Sequence, residues 1–189
     1  MKIELVKNLL PEEHGKIKQL VGEAFVTNEL FHNWGTLEER HDDVIKYMDY
    51  YVEYVYQSKA LYSTEDKTGY IGLMDSKNAP TGPQLKMLLK MFRGFKFSKI
   101  KSLLSFIKQI ENGNAKYAKS HHLDILMVCV DKGHQGKGIA TSLVNFAKQS
   151  IPQFTVAPSY VLISVLIVKG NSFHSLYFTL YVLPSMVIS

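Results

Sequence analysis

From Val128 to Thr141 the chain reads Val-Cys-Val-Asp-Lys-Gly-His-Gln-Gly-Lys-Gly-Ile-Ala-Thr, an apolar strand ending that runs into a glycine-rich turn. Leu143, Val144 and Ala147 follow at the spacing of a helix's inward face. Gly136 and Gly138 permit unusual dihedrals and close backbone approach, and the first amides of a helix have no partner inside it. A helix opening in such a turn is an anion site that suits a pyrophosphate, and Lys137 brings a positive charge to the same place.

The spacing narrows the choice of phosphate ligand. A dinucleotide fingerprint needs G-x-G-x-x-G, but counting from Gly136 its last position is Thr141. A triphosphate loop needs four residues between its first glycine and Gly-Lys-Ser/Thr; Gly133 lies only three before Gly136, and Lys137 is followed by glycine. Neither fits. Among titratable groups nearby, His122 has the intrinsic pKa for proton transfer near neutrality, and Asp124 is the nearest carboxylate. His122 and Asp124 can equally be a strand-end histidine and a carboxylate paired with a basic neighbour. His121 would face the other side of the strand, His134 reads as a solvated loop side chain, and Cys129 as a small core residue. No metal-ligand pattern is expected.

The elements that position this segment follow from periodicity. Lys2 to Val6 reads as a strand. Pro11 with Glu12 and Glu13 starts a first helix, whose stripe runs through Ile17, Leu20, Val21, Ala24 and Phe25. After a loop at Asn33, Trp34 and Gly35, Thr36 and Glu39 form a capping-box pattern ahead of a second helix with Val44, Tyr47, Met48, Tyr51, Val52 and Val55 on one face. Ala60 to Ser63 and Tyr70 to Met74 predict a hairpin. Two amphipathic stretches follow, separated at Gly94: Leu85, Leu88, Leu89 and Phe92 on one face, then Ile100, Leu103, Leu104 and Ile107. A polar stretch, Glu111 to Ser120, leads to a strand over Leu123 to Val130, a helix from about Gly138 to Gln149, and a strand over Tyr160 to Val168. The order predicts an α/β fold with a mixed sheet flanked by helices.

Gln135-Gly-Lys-Gly138-Ile-Ala140, after a valine-ending strand and before a helix, resembles the Gln/Arg-x-x-Gly-x-Gly/Ala motif of the GNAT acetyltransferases. The run His122 to Val130 is similar to a subgroup in which histidine opens this strand. The two-helix N-terminus, the hairpin and a basic helical insertion between the third and fourth strands also suit that subgroup. The resemblance implies acetyl-CoA as cosubstrate and direct transfer of its acetyl group to an amine of a small molecule or peptide. It further implies that backbone groups of Val128 and Val130 meet the pantetheine arm, and that Gln135, Gly136, Lys137, Gly138, Ile139, Ala140 and Thr141 hold the pyrophosphate. A backbone amide near Met127 or Val128 would polarise the thioester carbonyl. His122 is the candidate base, and Tyr177, the nearest equivalent of a helix tyrosine in that family, the candidate acid. A CoA-binding module with little turnover is the alternative.

At 189 residues one domain over 1–189 is expected. Thr81 to Ser120 holds nine basic residues and one acid, Glu111, so of 22 basic and 17 acidic residues the remainder keeps 13 and 16. The positive charge is thus local: a solvated helix face, an anion-binding rim or a membrane-surface patch. With the apolar stripes turned inward over the acceptor side, neither nucleic acid nor membrane is expected as a partner. The single cysteine, Cys129, and an N-terminus without a long apolar run predict a cytoplasmic setting. From Gln149 to Ser189 the only charged residue is Lys169, which marks 149–189 as a divergent C-terminal segment. Asn171 and Tyr177 there lack the Gly-Phe that follows in the family.

Overall fold

The computed structural model describes residues 1–118, 122–150, 160–169 and 172–181, the last two stretches by their backbone. Strand β1 (Ile3–Leu5) leads into helices α1 (Pro11–Phe25) and α2 (Leu37–Gln57). Strands β2 (Leu61–Thr64) and β3 (Gly69–Asp75) form the expected hairpin, and α3 (Thr81–Gly94) and α4 (Phe97–Ala118) stand between β3 and β4 (His122–Val130). Helix α5 (Ile139–Gln149) and strands β5 (Tyr160–Lys169) and β6 (Ser172–Tyr181) complete the order.

The six strands lie side by side in chain order. β1 to β4 pair antiparallel, β4 and β5 pair parallel, and β6 returns antiparallel on β5. Each face of the sheet has its own core. Ile17, Val21, Val44, Met48 and Val52 of α1 and α2 pack with Tyr70 and Met127 on one side. On the other, Leu143 and Ala147 of α5 pack with Ile71, Ile125 and Val128. Both faces of β4 are covered: Leu123 and Ile125 join one core and Met127 and Cys129 the other, a change of face between residues two apart that regular alternation forbids and an irregularity at Leu126 supplies.

The Thr36 and Glu39 pattern does form a capping box: the Glu39 amide donates to Thr36 Oγ1 at 3.3 Å and the Thr36 amide to Glu39 Oε2 at 2.8 Å. Ahead of it, Glu29–Trp34 form a short 3-10 helix where a loop was expected. Phe31 and Trp34 are buried there, meeting Tyr47 edge-on, with ring centroids 4.8 to 6.2 Å apart within the trio. Such contacts add roughly 0.5 to 1.5 kcal/mol each beyond burial. Arg40 is buried beside them and donates to the carbonyls of Val26 and Phe31, so its charge closes the chain between α1 and α2.

Three expectations are corrected. Helix α4 runs on to Ala118, through the polar Glu111–Ala118 stretch, where Ala115 and Ala118 favour a helix although Asn112, Gly113 and Asn114 do not. Ser172–Tyr181, which carries the Tyr177 matched to a helix tyrosine, is a strand. Most consequentially, α3 is turned over. Lys86 and Lys90 bind Glu53 of α2, Lys90 lies over the Tyr50 ring, and Met91 is buried, whereas Leu85, Leu89 and Phe92 face outward. Burial pushes the Glu53 carboxyl upward, but the two ammonium groups outweigh it and hold the pKa below its ordinary value.

Candidate functional site

Two irregularities of the sheet meet at the middle of β4. Against β3 the register runs from Gly69↔Val130 to Gly72↔Met127 and resumes at Leu73↔Ile125, leaving Leu126 as a bulge. Gly72 makes the close approach possible: a Cβ there would lie 3.1 Å from Leu126 Cβ, Met127 Cγ and Val55 Cγ1. Against β5 the register runs only from His122↔Tyr160 to Ile125↔Ile163. Beyond Ile125 the two parallel strands part, and the edge of β4 from the bulge to Val130 lies on the resulting gap.

The direction of the backbone groups on that edge follows from alternation. The Asp131 amide donates to Thr68 O at 2.8 Å, on the β3 side. Successive residues of a strand direct their N–H and C=O groups to opposite edges, so Cys129 shares the β3 side and Val128 and Val130 turn theirs toward the gap. The bulge is held from the other layer: Tyr51 of α2 donates its hydroxyl to Leu126 O at 3.0 Å. Burial above all, then neighbouring Tyr47, Tyr54 and Asp124, raises the Tyr51 pKa well above its ordinary value, which keeps the phenol protonated as a donor. Because a trans peptide carries its N–H opposite its C=O, the same bond sets the direction of the Met127 amide.

The turn after β4 is tied at several points. His134 N–H donates to Asp131 O at 2.8 Å, closing a 3-10 turn over Lys132–His134, and Gln135 Nε2 reaches back to Val130 O at 3.3 Å. Lys16 of α1 meets Asp131 at 2.9 Å, and this contact first of all holds the Asp131 carboxyl below its usual range. Gly136 and Gly138 then take left-handed φ values of 80° and 76°, and no atom lies within 4 Å of where a Cβ would stand on either. Gly138 caps α5 without a side-chain hydrogen bond, and Ser142 N–H makes a helical bond to Gly138 O at 3.0 Å, so the amides of Ile139, Ala140 and Thr141 precede it. Lys137 is exposed beside them. An open glycine cradle, free helix-start amides and an exposed ammonium fit a pyrophosphate.

Of the residues named from sequence, Val128, Val130 and the run Gln135 to Thr141 are brought together along this edge and turn. Gln135 differs in detail, since its side chain braces the loop against Val130. His122 opens β4, four residues from the bulge, or about 13 Å along a strand. Asp124 is only two residues from it, beside Tyr51 and Tyr54, whose hydroxyl pKa values are raised by burial first and by the Asp124 charge in addition. Tyr177 lies on a strand and not on a helix: it pairs with Ser164, one residue beyond the last β4–β5 pair. Asn171 and His121 fall outside the described residues. Cys129 is buried, and burial pushes its thiol up to about 12, which suits a packing role. Among the described residues no cluster of His, Cys, Asp or Glu could hold a metal ion.

Gly72 and Tyr51 were missed from sequence. A glycine inside a strand pattern signals a bulge or close approach, so Gly72 was findable. Tyr51 reads as one more member of an aromatic stripe, and its bond spans 75 positions of sequence. No curated protein matches the chain. Residues 101–160, which span most of α4, all of β4, the glycine turn and α5, match the acetyltransferase (GNAT) family, whose members use acetyl-CoA as a cosubstrate and in general transfer its acyl group. The Leu126 bulge and the open glycine turn both lie inside the matched segment, and the match supports a GNAT-superfamily N-acetyltransferase.

Proposed function

We propose that this protein transfers an acetyl group from acetyl-CoA to an amine of a small molecule or peptide, by direct attack within a ternary complex. The observation that carries this reading is the parting of β4 from β5 at Ile125↔Ile163, level with the Leu126 bulge and upstream of the glycine turn. A thioester arm fits a gap between strands, and its pyrophosphate fits the turn at the gap's end. Val128 and Val130 would offer backbone groups to the pantetheine. Gln135, Gly136, Lys137, Gly138, Ile139, Ala140 and Thr141 would cradle the pyrophosphate. The residues 81–120 then form an insertion into this fold, in a single domain over 1–189.

In the reaction the amine nitrogen attacks the thioester carbon, the C–N bond forms, the C–S bond breaks, the ammonium proton goes to a base and the thiolate takes a proton from an acid. His122 is the proposed base, although the strand distance means a proton would reach it through water, whereas Asp124 stands closer to the bulge. The pH profiles of His122→Gln and Asp124→Asn separate them: loss of the acidic limb in only one identifies the base. Tyr177 is the proposed acid. Calorimetry with CoA, acetyl-CoA, NAD and ATP, together with thiol release on an amine panel, tests the reading as a whole. Tight NAD or ATP binding with none for CoA overturns it.

Tyr51 positions the bulge under this reading. Tyr51→Phe removes one hydrogen bond, so stability should fall by about 1 kcal/mol. If the amide direction matters, kcat should fall roughly tenfold, which corresponds to ~1.4 kcal/mol, with acetyl-CoA affinity unchanged. A drop in Tm with kcat intact would leave Tyr51 a purely structural role. A second reading, a CoA-binding module with little turnover, is favoured by the C-terminal arrangement: only residues 170 and 171 stand between β5 and β6, leaving no room there for the family's tyrosine-bearing helix.

A further inference from the structure

Helix α3 has two apolar faces. Met91 is buried and Met87 half-buried toward α2, whereas Leu85, Leu89 and Phe92, at i, i+4 and i+7, are 59%, 47% and 54% exposed on the opposite side. On α4, Ile100 and Leu103 are buried, while Phe97 and Leu104 are 70% and 43% exposed. These five make up most of the exposed large apolar side chains among the described residues. Arg93, Lys96, Lys101 and Lys108 are exposed among them, and Lys101 and Lys108 lie on the same face of α4 as Phe97 and Leu104. The chain has no acid between Asp75 and Glu111.

We propose that these outward faces of α3 and α4 seat the protein on an anionic lipid surface, with Leu85, Leu89, Phe92 and Phe97 entering the headgroup boundary and the cations meeting lipid phosphates. The charge complementarity selects this occupant. A second copy would bring cations against cations with no acid in either segment. A nucleic acid would use the cations and leave Leu85, Leu89 and Phe92 without purpose. Apolar residues flanked by Lys and Arg on a helix face are the pattern that lies in a membrane interface. Contact with a surface also accords with the absence, among the described residues, of a helix long and apolar enough to cross a membrane.

Sedimentation with vesicles tests this without reference to acetyl transfer. The protein should sediment with vesicles of phosphatidylcholine and phosphatidylglycerol and stay in solution with phosphatidylcholine alone. Leu89→Ser with Phe92→Ser, and separately Arg93→Glu with Lys101→Glu, should each weaken binding roughly tenfold or more, while helical content and acetyl-CoA affinity are retained. The proposal is overturned if the protein ignores anionic vesicles or if the serine pair leaves binding unchanged. It is also overturned if sedimentation velocity shows a dimer that the serine pair dissociates, which assigns the face to a second copy. Binding to heparin that is equal to vesicle binding and survives Phe92→Ser would assign the cations to a soluble polyanion and overturn it too.

Discussion

Gly138→Asp should lower acetyl-CoA affinity by about a hundredfold, or ~2.7 kcal/mol, with only a modest loss of stability. Gly138 has φ 76° and caps α5, so any side chain there starts with a backbone penalty of roughly 1 to 2 kcal/mol, least for Asn and Asp. An aspartate recovers part of this by capping the helix. Its carboxylate then competes for the amides of Ile139 to Thr141 that a pyrophosphate would use, and repels the phosphates as well. There is space for the new side chain, because nothing lies within 4 Å of its Cβ position, so the effect should fall on the ligand and not on the fold. Gly138→Asn is the control: it shares the backbone strain without the charge and should cost clearly less affinity, above all at low salt. Equal calorimetric affinities for Gly138→Asp and the parent chain would remove the proposed cradle.

Why this turn was legible from sequence, and α3 was not, comes down to where the determining interactions lie. Gly136 and Gly138 take left-handed φ values that side chains disfavour, and the strand before them and helix after them are local patterns, so the type and place of the turn are written in adjacent letters. The capping box at Thr36 and Glu39 is equally local. The orientation of α3 depends instead on Glu53 and Tyr50 of α2, which draw Lys86 and Lys90 inward and leave Leu85, Leu89 and Phe92 outside. Periodicity identifies an apolar stripe, but a lysine stem can cover apolar surface while its head finds an acid, so periodicity cannot say which face is packed. The extension of α4 was lost for a related reason, since polar residues there signal exposure as readily as a loop. The bulge is intermediate: Gly72 hints at it locally, whereas the Tyr51 bond to Leu126 depends on how α2 lies over the sheet.

The C-terminal strands pose the sharpest test, because the family resemblance expects a helix tyrosine and the chain presents Tyr177 on β6. The register nevertheless sets Tyr177 level with the start of the gap, since it pairs with Ser164 and the last β4–β5 pair is Ile125↔Ile163. At about 4.8 Å per strand, its backbone stands roughly 10 Å across the sheet from β4. Tyr181 pairs with Tyr160 instead, at the far end, level with His122. If the phenol of Tyr177 protonates the departing thiolate, Tyr177→Phe should lower kcat by about 10²- to 10⁴-fold, with acetyl-CoA affinity nearly unchanged and Tyr181→Phe close to the parent rate. The cofactor affinity should survive because Gly136, Gly138 and the α5 amides lie upstream of both strands. Two results would decide against this role. A parent chain that turns over an ordinary amine robustly, with Tyr177→Phe equally fast, would remove Tyr177 from the chemistry. A parent chain that binds acetyl-CoA tightly yet transfers its acetyl group no faster than Tyr177→Phe would mean that strand β6 in place of the tyrosine helix leaves the pocket able to hold the thioester but not to protonate its leaving group.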